Sequence, residues 1–250
     1  LSRKDLYKNR KPQKAIIGSS SKFLISLSKK YSGNGWGNWH KTLLNRDHQR
    51  IEKILTESRK KTEFINPLKI CTAINEHTKK GDIIIADGGD FVATASYIIR
   101  PCSLGGWLDP GVFGTLGVGA GFILGSYLSN PDSIIWAIYG DGAFGYSLME
   151  FDTFIRHKIP VIAVIGNDAG WTQITRDQVE ILKDPIGTSL TYTKYHEAII
   201  ALGGVGFSIE NENDITPVLL QARKSAEAGN AVSINVKIGK TDFRKGSISI

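Results

Sequence analysis

Two hydrophobic patterns divide the chain. Up to about residue 61, apolar residues recur at helical spacing. Phe23, Leu24 and Leu27 mark a helix over 21–31. Trp39, Leu43, Leu44, Ile51, Ile54 and Leu55, with charges between them, predict a long amphipathic helix over 39–61. The run 15–18 fits a last strand or its exit, and the Gly-rich loop 32–38 reads as a linker. From Asn66-Pro67, a helix start with an Asn cap and Pro in the first turn, short apolar runs alternate with helical patterns. Strands are expected at 83–86, 134–139, 161–165, 205–209 and 232–238. Helices are expected at 91–99, 115–128, 147–157, 195–202 and 215–228.

Buried strands that alternate with helices predict an α/β fold, a doubly wound parallel sheet with helices on both faces. In such sheets ligands bind beyond the carboxyl ends of the strands. Two acids fall there. Asp141 follows the strand at 134–139 within Gly140-Asp141-Gly142, and Asp168 follows the strand at 161–165 within Asn167-Asp168, 24 residues later. A Gly-Asp-Gly alone reads as a turn. Paired with Asn-Asp on the next strand, it becomes a candidate magnesium clamp, because magnesium takes hard oxygen ligands and shares them with a phosphate. Asp141, Asp168 and the carbonyl of Gly170 would supply the protein side. Gly142 lets the backbone approach a phosphate, and the amides of Gly142, Ala143 and Phe144 can donate to it.

Composition narrows the function classes. The chain has 250 residues, 41% of them hydrophobic and 22% charged, which is ordinary for a globular protein. Two cysteines give neither a disulfide framework nor a metal spacing. Residues 1–80 hold 19 Lys/Arg against 6 Asp/Glu, and residues 81–250 hold 12 against 18. The basic residues are dispersed and lack interleaved stacking aromatics, so a nucleic-acid partner is not expected. A solvated helical surface explains them, as does attraction of an anionic substrate such as a coenzyme A ester. The longest apolar stretch, 116–128, is 13 residues with four glycines, too short to span a bilayer. Its glycines do not form Gly-x-Gly-x-x-Gly, since Phe122 stands at the third position. The five histidines form no pair at metal spacing.

Gly140-Asp141-Gly142 with Asn167-Asp168 resembles the thiamine diphosphate (ThDP) signature of the acetolactate synthase, oxalyl-CoA decarboxylase and 2-hydroxyacyl-CoA lyase superfamily. The wider text at 140–154, 166–174 and 242–250 is similar to the animal acetolactate synthase-like, 2-hydroxyacyl-CoA lyase branch. The resemblance implies ThDP and Mg2+ as cofactors and a C-terminal cofactor domain over 36–250, with residues 1–35 as the tail of a central domain and a linker. It makes Gly114-Thr115-Leu116-Gly117 the turn under the bent cofactor. Leu116 would be the apolar wedge, and its amide, with the Gly114 carbonyl, would meet the aminopyrimidine. Gly89 and Asp90 fall on the phosphate-side loop, although Asp90 equally fits a helix cap. Trp171, Thr172 and Gln173 fall beside the diphosphate or the substrate.

The resemblance also implies a homo-oligomer. The glutamate that activates the cofactor would lie in a pyrimidine-binding domain of the partner subunit that nothing in this sequence matches, so the chain alone is expected to be inactive. The implied reaction is cleavage of a 2-hydroxyacyl-CoA to formyl-CoA and an aldehyde. Ligation of two 2-keto acids, as in acetolactate synthase, and a non-catalytic cofactor-binding fragment stand as alternatives. The implied location is the endoplasmic reticulum membrane, anchored outside this segment. The superfamily usually has Asn where this chain has Asp168. The extra charge would either tighten the metal in the absence of ThDP or repel the diphosphate.

Overall fold

The computed structural model describes residues 3–33 and 35–245. They form two compact units, Leu1–Arg50 and Ile51–Ile250. The division between the units falls inside a helix. The first unit carries α1 (Ser20–Lys30), with Ser19 as its N-cap, and most of α2 (Gly37–Ser58). The run at 15–18 forms no strand. Phe23, Leu24 and Leu27 of α1 are exposed, as are Trp39, Leu43 and Leu44 of α2. The helical periodicity there is real, but it is not spent on a core.

The second unit is a six-stranded parallel sheet in the order β2-β1-β3-β4-β6-β5. Its strands are β1 (Ile83–Ala86), β2 (Trp107–Leu108), β3 (Ile135–Gly140), β4 (Val161–Asn167), β5 (Val205–Ile209) and β6 (Ala231–Lys237). Successive side chains in a strand point to opposite faces. Ile84, Trp136, Ile138, Ile162, Val164 and Ile234 therefore join one core, while Ile83, Ile85, Ile135, Ala137, Val161 and Ile165 join the other. On the first face pack α3 (Pro67–His77), α4 (Asp90–Ala95) and α10 (Ile215–Glu227). On the second pack α5 (Gly119–Ser129), α7 (Glu150–Arg156) and α9 (Tyr195–Ala201). The expected doubly wound architecture is what forms. At the amino ends of the strands, Asp82 takes both Arg223 terminal nitrogens, at 2.6 and 3.1 Å, and the Trp136 indole N–H at 3.0 Å. This buried polar group is thus fully used away from the site.

Several boundaries moved, for local reasons. The helix expected from 115 starts at Gly119, because Gly117 takes a positive φ of 84° and the turn before it is held elsewhere. The helix expected over 147–157 forms as the shorter α7, and an extra short helix, α6 (Asp141–Gly145), precedes it at the end of β3. The helix from 91 begins at Asp90 and stops at Ala95. A helix the sequence analysis did not place, α8 (Thr172–Leu182), follows the second acid and ends where Lys183 turns left-handed at φ 58°.

Strand β1 is flanked by β2 on one side and β3 on the other, so the winding reverses at β1. That reversal opens a crevice between the loops that leave β1 and β3.

Candidate functional site

The crevice holds a cleft of about 530 Å³. Its floor is backbone. The Gly140 amide donates to the Gly88 carbonyl at 2.9 Å, which ties the two loops together. A Cβ on Gly140 would come within 3.0 Å of the Gly88 oxygen, and one on Gly89, whose φ is 109°, within 3.2 Å of the Gly140 Cα. Glycine is required where two chains approach this closely.

Asp141 is the first residue of α6 and is 2% exposed. One carboxylate oxygen accepts from the Gly142 amide at 2.8 Å and the other from the Gly170 amide at 3.2 Å. Burial, and then the neighbouring Asp168, push its carboxyl up to about 6. Asp168 is also raised, mainly by burial, and accepts from the Thr172 hydroxyl. Two acids in one buried place, each raised, call for a cation between them. The residues present fit magnesium: two carboxylates stand beside the Gly170 backbone, whose amide already meets Asp141. A site so poor in side chains leaves coordination positions for phosphate oxygens and water. Neighbouring Asn167 is structural. Its amide donates to the Thr193 carbonyl and to Asn235, and its oxygen accepts from the Ala169 amide.

Of the residues expected at a cofactor, Gly89, Asp90, Gly114 and Leu116 line one side of the cleft. Gly142, Ala143, Gly170, Trp171 and Thr172 line the other, with Asp141 and Asp168. Thr115 and Phe144 do not line it. Thr115 is exposed, and the Phe144 ring is fully buried, edge-on to Tyr139, Phe151 and Tyr195. Gly142 has a second reason to be glycine. A Cβ there would lie 2.5–2.7 Å from the Trp171 indole, which covers it. Leu116 sits in a turn, outside α5, and its Cδ2 would be 2.1 Å from a Cβ on Gly88. It therefore rests on the floor and is not helix core. The N-cap position of α4 falls on Gly89 and Asp90 is the first helical residue; its carboxylate pairs with Arg176 at 2.8 Å.

Sequence reasoning missed three residues here. Buried Asp87 accepts from the amides of Gly117 at 3.0 Å and Gly119 at 2.7 Å, which holds the Leu116 turn in place. Its position beside Gly88 was the available signal. Arg244 also lines the cleft, and Arg176 reaches it through its pair with Asp90; neither was named as a site residue.

Residues 87–236 match the family described as "Thiamine pyrophosphate enzyme, C-terminal TPP binding domain". The chain belongs to this thiamine pyrophosphate enzyme family. The match begins at Asp87, on the first loop of the crevice, and takes in both acids. The chain is 45% identical over 244 residues to "2-hydroxyacyl-CoA lyase 2" of Mus musculus, which covers 96% of this chain and 39% of that protein. It is 33% identical over 160 residues to an acetolactate synthase large subunit of Mycobacterium tuberculosis, covering 63% of this chain and 29% of that one. The chain thus spans about two-fifths of the length of the lyase relative. The same fold occurs in a Rhodococcus jostii RHA1 thiamine diphosphate-dependent 4-hydroxybenzoylformate decarboxylase, with TM-score 0.65 and 18% identity over 73% of this chain and 34% of that one.

Proposed function

We propose that this chain is the ThDP- and magnesium-holding part of a carbon–carbon lyase that cleaves a 2-hydroxyacyl-CoA into formyl-CoA and a shortened aldehyde. The observation that carries the cofactor reading is the acid pair Asp141 and Asp168 at the carboxyl ends of adjacent strands, facing the glycine floor of the crevice. The lyase reading is supported by 45% identity to 2-hydroxyacyl-CoA lyase 2 across nearly the whole chain.

In this reading Asp141 and Asp168, with the Gly170 carbonyl, would hold the metal, and the backbone at Gly142 and Ala143 would receive the diphosphate. Leu116 would support the cofactor, and Asp87 holds the Leu116 turn in place through the Gly117 and Gly119 amides. When bound, ThDP supplies a nucleophilic carbon and an electron sink for breaking the bond next to the carbonyl. The Trp171 indole covers Gly142 and forms part of the cleft lining. Activation of the cofactor is assigned to a glutamate outside this chain, from a pyrimidine-binding domain of a second subunit, so the working enzyme is a homo-oligomer acting on a small-molecule substrate. Placement at the endoplasmic reticulum membrane belongs to the same proposal and rests on the resemblance. No helix among the described residues is long and apolar enough to cross a membrane.

The identity to acetolactate synthase favours a second reading, ligation of two 2-keto acids. An assay of the full-length protein decides between them. Loaded with ThDP and Mg2+ and given a 2-hydroxyacyl-CoA, it should release formyl-CoA. Acetolactate formation from pyruvate, without formyl-CoA release, would replace the first reading by the second.

A further inference from the structure

Arg244 is 7% exposed, lines the cleft, and its Nε has no hydrogen-bond partner among the described residues. A buried guanidinium with a donor left open is costly unless something accepts from it. The nearest acid is Asp90, 3.9 Å from that Nε, beyond hydrogen-bond reach. Asp90 is already engaged, with Arg176 Nη2 at 2.8 Å. One carboxylate therefore stands between two guanidinium groups, and this wall of the cleft keeps a positive charge. The orientation of Arg244 is set by an aromatic neighbour: its guanidinium carbon lies 5.3 Å over the Tyr97 ring, and Phe243 packs edge-on to the same ring at 5.9 Å. Arg176 is carried by α8, whose start is tied back through Thr172 to Asp168.

A planar, pre-oriented guanidinium with an unused donor suits an oxyanion, and the match is best for phosphate. We infer that Arg244, supported by Arg176 and shared Asp90, forms a phosphate-binding subsite in the cleft wall, separate from the acid pair that would hold the metal. The inference rests on the reading of the cleft as a ThDP site. That reading brings two sources of phosphate to this wall, the diphosphate of the cofactor and the phosphates of a coenzyme A substrate. Arg244 acts by direct contact. Arg176 is a positioning residue that keeps Asp90 from closing on Arg244.

The test is calorimetric titration of the full-length protein with ThDP plus Mg2+, and separately with coenzyme A, comparing wild type with Arg244→Met, Arg244→Lys and Arg176→Met. Arg244→Met should weaken one of the two ligands by tenfold or more, and which one identifies the source of the phosphate. Arg244→Lys keeps the charge but not the planar fork and should lose severalfold. Arg176→Met should weaken the same ligand less, because Asp90 is then free to take Arg244. If Arg244→Met does not fold, as judged by its melting transition, the Lys and Arg176 variants carry the comparison. Unchanged affinity for both ligands in folded variants overturns the subsite while leaving the cofactor reading intact. Failure of the wild-type protein to bind either ligand refutes the reading of the cleft, and the subsite with it.

Discussion

The amide of Gly140 donates to the carbonyl of Gly88 at 2.9 Å, so the loops that leave β1 and β3 are bonded to each other at the point where the sheet reverses its winding. Everything in the site is built on that contact. Leu116 rests on Gly88, Asp141 follows Gly140, and no side chain intervenes.

The first prediction follows from this contact. Gly140→Ala puts a methyl group 3.0 Å from the Gly88 oxygen and 3.4 Å from the Gly89 Cα, and both are backbone atoms that cannot swing away. Overpacking of this kind costs about 1–3 kcal/mol. Gly88→Ala meets only the end of the Leu116 side chain, which can move. Urea unfolding should show clear destabilisation for Gly140→Ala and much less for Gly88→Ala, while ThDP titration should show weakened binding for both. Equal stability losses would contradict this account of the floor.

Asp87 holds the Leu116 turn through two amides, one on each carboxylate oxygen. Asp87→Ala leaves the Gly117 and Gly119 amides without this partner, a loss of about 2–6 kcal/mol in all. ThDP affinity should fall because Leu116 is released. Mn2+ binding, read by electron paramagnetic resonance as a stand-in for Mg2+, should be retained because Asp141 and Asp168 are untouched. Loss of metal binding in a folded Asp87→Ala protein would place Asp87 in the metal site.

The raised carboxyl of Asp141 makes a pH prediction for the metal-free protein. Its folded pKa, about 6, lies above its ordinary value of 3.8. Between these values the folded state holds more protons than the unfolded state. This group's contribution therefore falls as pH rises from about 4 to about 6 and then levels off. The shift corresponds to about 2–3 kcal/mol at most. Asp141→Asn removes the effect, so urea unfolding without metal should show the variant gaining on wild type across that window. Saturating Mg2+ with ThDP should cancel the gain, since the metal favours the ionised acid. A difference independent of pH would mean that Asp141 is not held protonated by its surroundings.

The fold was largely legible because its strands are short apolar runs between helical patterns, and because buried parallel strands have little other way to read. The acid pair was legible because Asp141 and Asp168 each follow such a run. What escaped was set by contacts distant in sequence. Asp87 reaches Gly117 and Gly119 thirty residues on and delays α5. Phe144 is drawn into an aromatic cluster with Tyr195. Arg244 meets Asp90 from the far end of the chain. The N-terminal helices show the opposite failure: the periodicity in 21–31 and 39–61 was read correctly, yet few of those apolar side chains are buried, and periodicity alone does not say what a face packs against.

The central claim is that Asp141 and Asp168 hold the metal that anchors ThDP. Its most direct test is calorimetric titration of the full-length protein with ThDP in the presence of Mg2+, comparing wild type with Asp141→Ala. Wild type should bind ThDP only with the metal present, and the folded Asp141→Ala protein should show no Mg2+-dependent binding. Undiminished, metal-dependent binding by Asp141→Ala would contradict the account.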